Sequence, residues 1–326
     1  MLLTNEDGTL GIPTTSLIPY IYGSIVSIIA DFNNDNLSEI VLANGFSGSI
    51  YVLNGDGTGK FTEWIEIFVN DCIYISDILT ADFNNDKYPD IFVLCQYPTK
   101  CIVFFGNDNG TFEEKIIFDT LKLSSLYSIA FTDLNGDNKL DMVAVNSSYR
   151  TVDVFIGDGN GSFQIQTTSF TGGGMDPANI AVGDFNEDTR QDVVVSYQGT
   201  AAIGLLFGYD NGTFGRKIKL NLKDDIITTP IIVSDFNNDT HLDIITITYI
   251  PYTINIYMGY GNGQFEMYTM FSTEYTIEFI SMIAGDLNGD GYEDIAVSTE
   301  HGVQIFFNTG HCINGSMLFD QYTTET

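Results

Sequence analysis

Residues 82–91 read DFNNDKYPDI, a stretch that places acidic or amide side chains at alternate positions directly ahead of an apolar run. Closely similar strings recur along the chain, and each begins 51 residues after the one before it. The aspartates that open these strings are Asp31, Asp82, Asp133, Asp184, Asp235 and Asp286. A constant period of this length indicates a repeat architecture, in which every repeat is one supersecondary unit.

Each repeat contains four short apolar runs that are separated by turn signals. In the second repeat these runs are SDILTADF, DIFVLCQ, KCIVFFG and TFEEKIIF, and their β-branched and aromatic residues favour strands. A Gly/Asn-rich turn before the fourth run ends in a phenylalanine that keeps the same 51-residue period, at Phe112, Phe163, Phe214 and Phe265. Four short strands in a unit of about 40 to 50 residues are typical of a β-propeller blade.

The sequence therefore predicts an all-β chain, a β-propeller of four-stranded antiparallel blades that spans residues 1–326 as a single domain. Six complete strings favour six blades, since a seventh would need two further inner strands. We expect residues 1–20 to supply the outer strand that completes the last blade and closes the ring. The first run of each repeat is predicted to lie innermost, because a small residue precedes every leading aspartate: Ala30, Ala81, Thr132, Gly183, Ser234 and Gly285.

The charge balance of the chain restricts its partners. Only 12 Lys and Arg residues stand against 43 Asp and Glu residues, which gives a formal net charge of −31. Nucleic acids and anionic membranes attract basic surfaces, so neither is an expected partner. No stretch is apolar over the roughly 18 residues that bilayer insertion requires. The composition instead favours a protein that holds cations.

The acidic strings have the donor chemistry of a cation site. Counting each leading aspartate as position 1, carboxylates occupy positions 1, 5 and 9, and an asparagine occupies position 3. With the backbone carbonyl of position 7 they form an all-oxygen set on a flexible loop, which favours Ca²⁺ over Mg²⁺. We expect about six Ca²⁺ ions, one per string. The predicted ligands are Asp31, Asn33, Asp35, Leu37 and Glu39; Asp82, Asn84, Asp86, Tyr88 and Asp90; Asp133, Asn135, Asp137, Lys139 and Asp141; Asp184, Asn186, Asp188, Arg190 and Asp192; Asp235, Asn237, Asp239, His241 and Asp243; and Asp286, Asn288, Asp290, Tyr292 and Asp294.

The alternative is a polar turn that only keeps the chain soluble. Three crowded carboxylates repel one another unless a cation lies between them, and the strict spacing favours the metal. Position 9 is followed by a strand, whereas the corresponding loop of an EF-hand continues into a helix. Glycine occupies position 6 only at Gly291, so Lys87, Thr189 and Thr240 are strained if that position needs a positive φ. Glu39 replaces aspartate at position 9 of the first string.

The cysteines and the glycosylation sequons bear on the compartment. Cys95 and Cys101 flank the turn QYPTK, so they are either paired across a hairpin or two buried thiols. Cys72 and Cys312 have no partner that the sequence assigns. Seven Asn-x-Ser/Thr sequons favour an extracellular or cell-surface glycoprotein, and they lie at Asn36, Asn109, Asn146, Asn160, Asn211, Asn238 and Asn314.

The tandem D-x-N-x-D-x-x-x-D strings, each followed by a strand and a Gly/Asn-rich turn that ends in phenylalanine, resemble the FG-GAP or VCBS repeat family, of which the integrin α-subunit propeller is a member. The resemblance implies a Ca²⁺-stabilised β-propeller, usually extracellular and used for adhesion or ligand binding. It also implies that the metal ligands are the residues named above. The repeats are more alike than integrin blades are, which favours the general repeat family over an integrin.

No nucleophile, base or cofactor motif stands out, and His241, His301 and His311 lie in predicted turns or in the C-terminal tail, so we predict a non-catalytic protein. The leading hypothesis is a recognition or adhesion module, a monomeric domain of a larger protein that binds a protein or carbohydrate on one propeller face. The variable segments TGGGMDP at 171–177 and YIPYTI at 249–254, with Tyr249 and Tyr252, are candidate binding loops. The alternatives are a structural spacer, or an accessory propeller of a carbohydrate-active or phospholipase-type enzyme.

Overall fold

The structure, a computed structural model, describes residues 25–323 except 46, 58–59, 71, 97–98, 120–125, 171–175, 199–201, 216–217, 222–225, 251, 274–278, 300–301 and 314–315. Within these ranges the regular secondary structure consists entirely of strands. No helix long and apolar enough to cross a membrane occurs among the described residues.

The described strands form six antiparallel sheets of four strands each, and every sheet uses consecutive strands of the chain. These sheets are blades 1 to 6 of a β-propeller. The predicted fold class is therefore confirmed. Blades 1 to 3 contain β1 (Ile25–Ala30), β2 (Glu39–Asn44), β3 (Ser49–Gly55) and β4 (Phe61–Phe68); β5 (Ile75–Ala81), β6 (Asp90–Gln96), β7 (Thr99–Gly106) and β8 (Phe112–Asp119); and β9 (Leu126–Thr132), β10 (Asp141–Asn146), β11 (Thr151–Gly157) and β12 (Phe163–Phe170). Blades 4 to 6 contain β13 (Asp176–Gly183), β14 (Asp192–Gln198), β15 (Ala202–Leu206) and β16 (Ile218–Asn221); β17 (Ile226–Ser234), β18 (Asp243–Ile250), β19 (Tyr252–Gly259) and β20 (Phe265–Thr273); and β21 (Phe279–Gly285), β22 (Asp294–Thr299), β23 (Gly302–Ile313) and β24 (Ser316–Thr323).

Every acidic string connects the first strand of a blade to its second. The small residue before the leading aspartate pairs with position 9, as Ala81 does with Asp90 and Thr132 with Asp141. First strands of consecutive blades also approach one another, as β9 and β13 do. Small residues suit this crowded inner position, and the strings therefore lie together at one end of the inner strands.

Apolar side chains fill the spaces between consecutive blades. Because side chains of a strand alternate between the two faces of its sheet, each blade contributes to one core on either side. The phenylalanine at position 2 of a string packs edge-on against the turn phenylalanine of the next blade, with ring centroids 5.7 to 6.2 Å apart in the pairs Phe32–Phe112, Phe83–Phe163 and Phe185–Phe265. The periodic phenylalanines therefore join neighbouring repeats.

Neither of the two alternatives for Cys95 and Cys101 holds for both residues: Cys95 forms a disulfide with Cys72, whereas Cys101 is a free, buried thiol. In the β6–β7 hairpin Cys101 lies opposite Leu94, and Cys95 lies opposite Lys100. This register places the two cysteines on opposite faces of the sheet. Cys95 lies in the core shared with blade 1, and Cys101 in the core shared with blade 3.

The last blade takes all four of its strands from the C-terminal part of the chain. Strand β24, Ser316–Thr323, pairs with β23 and supplies the fourth strand of this sheet. The predicted contribution of residues 1–20 lies outside the described residues.

Candidate functional site

All six acidic strings fold into the same loop, here named loops 1 to 6: residues 31–39, 82–90, 133–141, 184–192, 235–243 and 286–294. In loop 2 the two carboxylate oxygens of Asp82 accept hydrogen bonds from the backbone N–H groups of Asp86 (3.1 Å) and Lys87 (2.8 Å). Asn84 Oδ1 accepts from the Asp86 N–H (2.9 Å), and Asp86 Oδ1 from the Tyr88 N–H (2.9 Å). The side chains at positions 1, 3 and 5 therefore turn inward over their own loop.

The backbone of each loop passes twice through the left-handed region. Position 6 has a positive φ in every loop, which confirms the condition on which strain at Lys87 (77°), Thr189 (70°) and Thr240 (75°) depends. Position 4 also has a positive φ throughout, which the sequence analysis missed. Its residue types were the available signal, since Asn and Gly tolerate this conformation best. Five of the six residues are of these types, namely Asn34, Asn85, Gly136, Asn238 and Gly289, and the sixth is Glu187.

The carboxylate at position 9 is buried and ties three segments together. Asp90 accepts one hydrogen bond from the Phe83 N–H and another from the Gly106 N–H at the end of the third strand, both 2.8 Å. A side chain at Gly106 is excluded, because a Cβ there would lie 2.2 Å from the Pro89 carbonyl oxygen. Equivalent pairs of bonds hold Asp141, Asp192, Asp243 and Asp294.

Burial makes the charged form of these position-9 carboxylates unfavourable. It raises the pKa of Asp90 to about 6, against two backbone hydrogen bonds that lower it, and the nearby Asp86 and Asp82 carboxylates raise it further. The same causes raise the pKa of Asp243 to about 7. Glu39 at position 9 of loop 1 shows the same direction of pKa shift, with burial as the largest cause. Each loop thus concentrates negative charge that its own backbone only partly compensates.

The donor chemistry of the loops fits a hard divalent cation, since carboxylate, amide and carbonyl oxygens are what Ca²⁺ prefers. The positions of the side chains match it less closely. Within the described residues, no group of three or more His, Cys, Asp or Glu side chains converges on a common point. In loops 2, 4, 5 and 6 the position-3 amide nitrogen instead donates to the second oxygen of the position-5 carboxylate, at 2.8 to 3.0 Å. The predicted ligands therefore share a loop, and the metal itself stays a prediction.

The residues at position 7 are predicted to bind the metal through their backbone carbonyls. The side chains of two of them, Arg190 and His241, link separate parts of the propeller. The Arg190 guanidinium donates to Asp188 Oδ2 (2.6 Å), Asp210 Oδ1 (3.3 Å) and the Gly208 carbonyl (3.2 Å). His241 in loop 5 pairs with Glu187 in loop 4. That contact raises the pKa of His241, chiefly through the hydrogen bond that the protonated ring donates to the Glu187 carboxylate.

A cavity of about 490 Å³ opens between loops 3 and 4. Residues 132–136 line it from blade 3, and residues 189–191 together with Asp210 line it from blade 4. Sequence reasoning missed this cavity. The available signal was Gly136, which replaces the longer position-4 residue found in four of the other five loops.

The candidate binding loops chosen from the sequence are only partly described. Residues 171–175 lie outside the described part, and 176–177 begin β13. Tyr249 and Tyr252 are backbone partners in the β18–β19 hairpin, and the structure does not describe their side chains. His301 is not among the described residues, and His311 lies within β23.

Comparison with known proteins gives a family match and structural neighbours. A model described as FG-GAP-like repeat matches residues 31–93, 82–144, 133–195 and 235–297. No curated protein sequence matches the chain. An Agrocybe aegerita lectin that recognises non-reducing terminal N-acetylglucosamine is 17% identical, with a TM-score of 0.65 over 93% of this chain and 81% of the lectin chain. A Bacteroides uniformis protein assigned as a 6-phosphogluconolactonase is 9% identical, with a TM-score of 0.68 over 99% of this chain and 92% of its own. At these identities, the two likenesses establish the propeller fold alone.

Proposed function

Because the chain belongs to the FG-GAP-like repeat family, we propose that it is a calcium-stabilised, non-catalytic recognition module that acts outside the cell. The observation that carries the proposal is the shared backbone path of the six loops, each with a buried carboxylate whose ionised form is disfavoured unless a cation is near. The family match supports the repeat architecture, and the loops provide the carboxylate, amide and carbonyl oxygens that Ca²⁺ prefers.

Each loop would hold one Ca²⁺ through the side chains of positions 1, 3, 5 and 9 and the carbonyl of position 7. A bound divalent cation would neutralise the carboxylates of positions 1 and 5 and favour the charged form of position 9. Because position 9 opens the second strand and bonds to the end of the third, calcium binding would be coupled to the stability of the blade.

The disulfide and the sequons support an extracellular location. A disulfide between Cys72 and Cys95 is typical of oxidising compartments. Five sequon asparagines lie at exposed positions, at Asn36, Asn109, Asn160, Asn211 and Asn238. Asn146 is fully buried, so the sequon there is not expected to be used. Asn314 lies outside the described residues.

The lectin neighbour favours a carbohydrate over a protein as the ligand of the module. It supports this choice because it has the same fold over most of both chains. The ligand would bind on the propeller face that carries the six loops, where the cavity between loops 3 and 4 opens.

The test of calcium binding compares thermal unfolding in excess Ca²⁺ with unfolding after EDTA, together with a count of bound calcium. We expect about six ions per chain and a lower Tm in EDTA, since each site filled at 100 times its Kd adds about 2.7 kcal/mol. Asp290→Asn is the matched variant. It removes one carboxylate from loop 6 and keeps the oxygen that accepts the Tyr292 N–H, so the count should fall by about one.

An unchanged melt with no bound metal would overturn the calcium part of the proposal and leave the strings as polar turns. A calcium-dependent melt without any saturable protein or glycan binding would instead favour a structural spacer.

A further inference from the structure

Position-4 side chains close the space between neighbouring loops at three junctions. Asn85 Nδ2 of loop 2 donates to the Gly159 carbonyl of blade 3 (3.4 Å), and Asn238 Nδ2 of loop 5 donates to the Gly291 carbonyl of loop 6 (3.2 Å). Between blades 4 and 5, Glu187 pairs with His241. In each case one side chain on the left-handed position 4 reaches across to the next blade.

Loop 3 lacks this bridge, because its position 4 is Gly136. A Cβ built at Gly136 meets no atom within 4 Å, so the glycine borders open space. The residue one period after Gly159 is Asp210, and Asp210 lines the far side of the cavity. The cavity therefore occupies the space that an asparagine bridge would cross at this junction. Its volume of about 490 Å³ falls within the range of small-molecule sites.

The wall of the cavity carries the amide of Asn135, the position-3 residue of loop 3. In the other loops the position-3 amide donates a hydrogen bond within its own loop. In loops 2, 4, 5 and 6 the position-3 amide nitrogen donates to the position-5 carboxylate, and in loop 1 Asn33 donates to Glu39. Asn135 Nδ2 has no acceptor among the described residues. The Asp137 Oδ2 atom, to which it would donate, lies 3.9 Å from Lys139 Nζ instead. Asn135 thus keeps an unused donor on the cavity wall.

Arg190 and Asp210 complete a set of donors and acceptors on the opposite wall. The Arg190 guanidinium has five N–H groups, of which three are bound to Asp188, Asp210 and Gly208, so it is held in place with N–H groups to spare. Asp210 uses one oxygen for Arg190, and its side chain is 89% exposed, which leaves the other oxygen as an acceptor.

From this arrangement we propose that the cavity between blades 3 and 4 binds a neutral saccharide. Hydroxyl groups both donate and accept hydrogen bonds, so adjacent hydroxyls can use Asn135 Nδ2, Arg190 and Asp210 together. The Asp210 carboxylate offsets the charge of the guanidinium it binds, and the chain, with a formal net charge of −31, stays negative even with six Ca²⁺ ions bound, so phosphate, sulfate and uronate groups are disfavoured. The assignment rests on the proposed recognition function and gives it a location and a ligand class.

The test uses an array of immobilised neutral glycans and their sulfated or carboxylated counterparts, followed by titration calorimetry with the glycans that bind. Gly136→Asn places at loop 3 the residue found at position 4 of loops 1, 2 and 5, and asparagine tolerates the φ of +77°. We expect the added side chain to cross the cavity as Asn85 and Asn238 do at their junctions, and to raise the Kd for a neutral glycan roughly tenfold or more.

Gly289→Asn is the matched control. It makes the same substitution at the same position of loop 6, with a φ of +81° and no atom within 4 Å of the added Cβ, and it lies outside the cavity. It should leave the Kd unchanged. Asp210→Ala is a second variant. It removes an exposed side chain, so the protein should still fold, and it should also raise the Kd for the neutral glycan.

Unaltered glycan binding by Gly136→Asn, or a preference for sulfated over neutral glycans, would overturn the proposal. Thermal melts of the same samples with Ca²⁺ and EDTA separate it from the proposed function. A calcium-dependent melt with no glycan bound overturns the saccharide site and leaves the calcium-stabilised module standing. If Gly136→Asn abolishes glycan binding and the melt does not depend on calcium, the saccharide site stands and the calcium part of the proposed function is overturned.

Discussion

A single carboxylate on an inner strand shows how burial sets the energetics of this protein. Asp77 lies in β5, and its Oδ1 accepts one hydrogen bond, from the Ile78 N–H at 3.0 Å. Burial raises the pKa of Asp77 to about 7, and that single hydrogen bond offsets little of the shift. The folded state therefore binds this proton more tightly than the unfolded state, in which the pKa is about 3.9.

The sign of the pH dependence follows from linkage. The free energy of unfolding should decrease as the pH rises from about 4 to about 7 through this group, and level off above. Asp77→Asn imitates the neutral acid, so it should stabilise the protein at pH 8 by on the order of 1–3 kcal/mol and leave it unchanged near pH 4. Urea unfolding of both proteins at the two pH values measures the effect. An equal difference at both values would show that the charge of Asp77 is not responsible.

Among the elements, the six loops share one backbone path although their sequences differ. Position 6 holds Thr240 in loop 5 and Asn138 in loop 3, with φ angles of 75° and 61°. A β-branched residue is strained in the left-handed region, whereas asparagine is tolerated there. The path persists in loop 5 because the N–H of Thr240 donates to Asp235 Oδ2 at 2.7 Å, a bond that does not depend on its side chain.

Thr240→Gly should therefore stabilise the unglycosylated protein by about 0.5–1 kcal/mol, because glycine removes the strain and keeps the N–H donor. Asn138→Gly is the matched control at the same loop position. It relieves little strain, so we expect a change below about 0.5 kcal/mol. The midpoint of urea unfolding reports both. A loss of stability in Thr240→Gly would mean that the threonine side chain contributes more than its backbone strain removes.

For the whole molecule, electrostatic repulsion among the excess negative charges is the dominant long-range interaction. A net charge of −31 on 326 residues destabilises a compact state through self-repulsion, and the acidic loops concentrate that repulsion at one end of the inner strands. Salt screens such repulsion, with a Debye length of about 10 Å at 0.1 M and about 3 Å at 1 M.

In EDTA, raising NaCl from about 0.05 M to about 0.5 M should therefore raise the Tm, because screening weakens the repulsion. Replacing the EDTA with about 1 mM CaCl₂ at constant high ionic strength should raise the Tm further if the loops bind calcium specifically. A Tm that is insensitive to NaCl would contradict the account based on repulsion. A calcium effect that disappears in high salt would indicate screening in place of bound ions.

The sequence by itself determined the repeat, the four-stranded blade, the number of strings and the residues of each loop. It could do so because these depend on local periodicity: alternate side chains face opposite sides of a strand, and a constant 51-residue spacing repeats one hydrogen-bonding unit. The positive φ at position 6 entered the sequence analysis only as a condition, because Lys87, Thr189 and Thr240 are not residue types that favour it. The calcium ions themselves remain a prediction at this level.

Only the tertiary structure decided the features that depend on which surfaces meet. Cys95 and Cys101 are close in sequence, but the hairpin register places them on opposite faces, so Cys72 becomes the partner. The cavity at Gly136 exists because a residue from the next blade, Asp210, stands across from it. The disulfide and the cavity depend on contacts between different strands and between consecutive blades, and no local periodicity encodes the distances between their side chains.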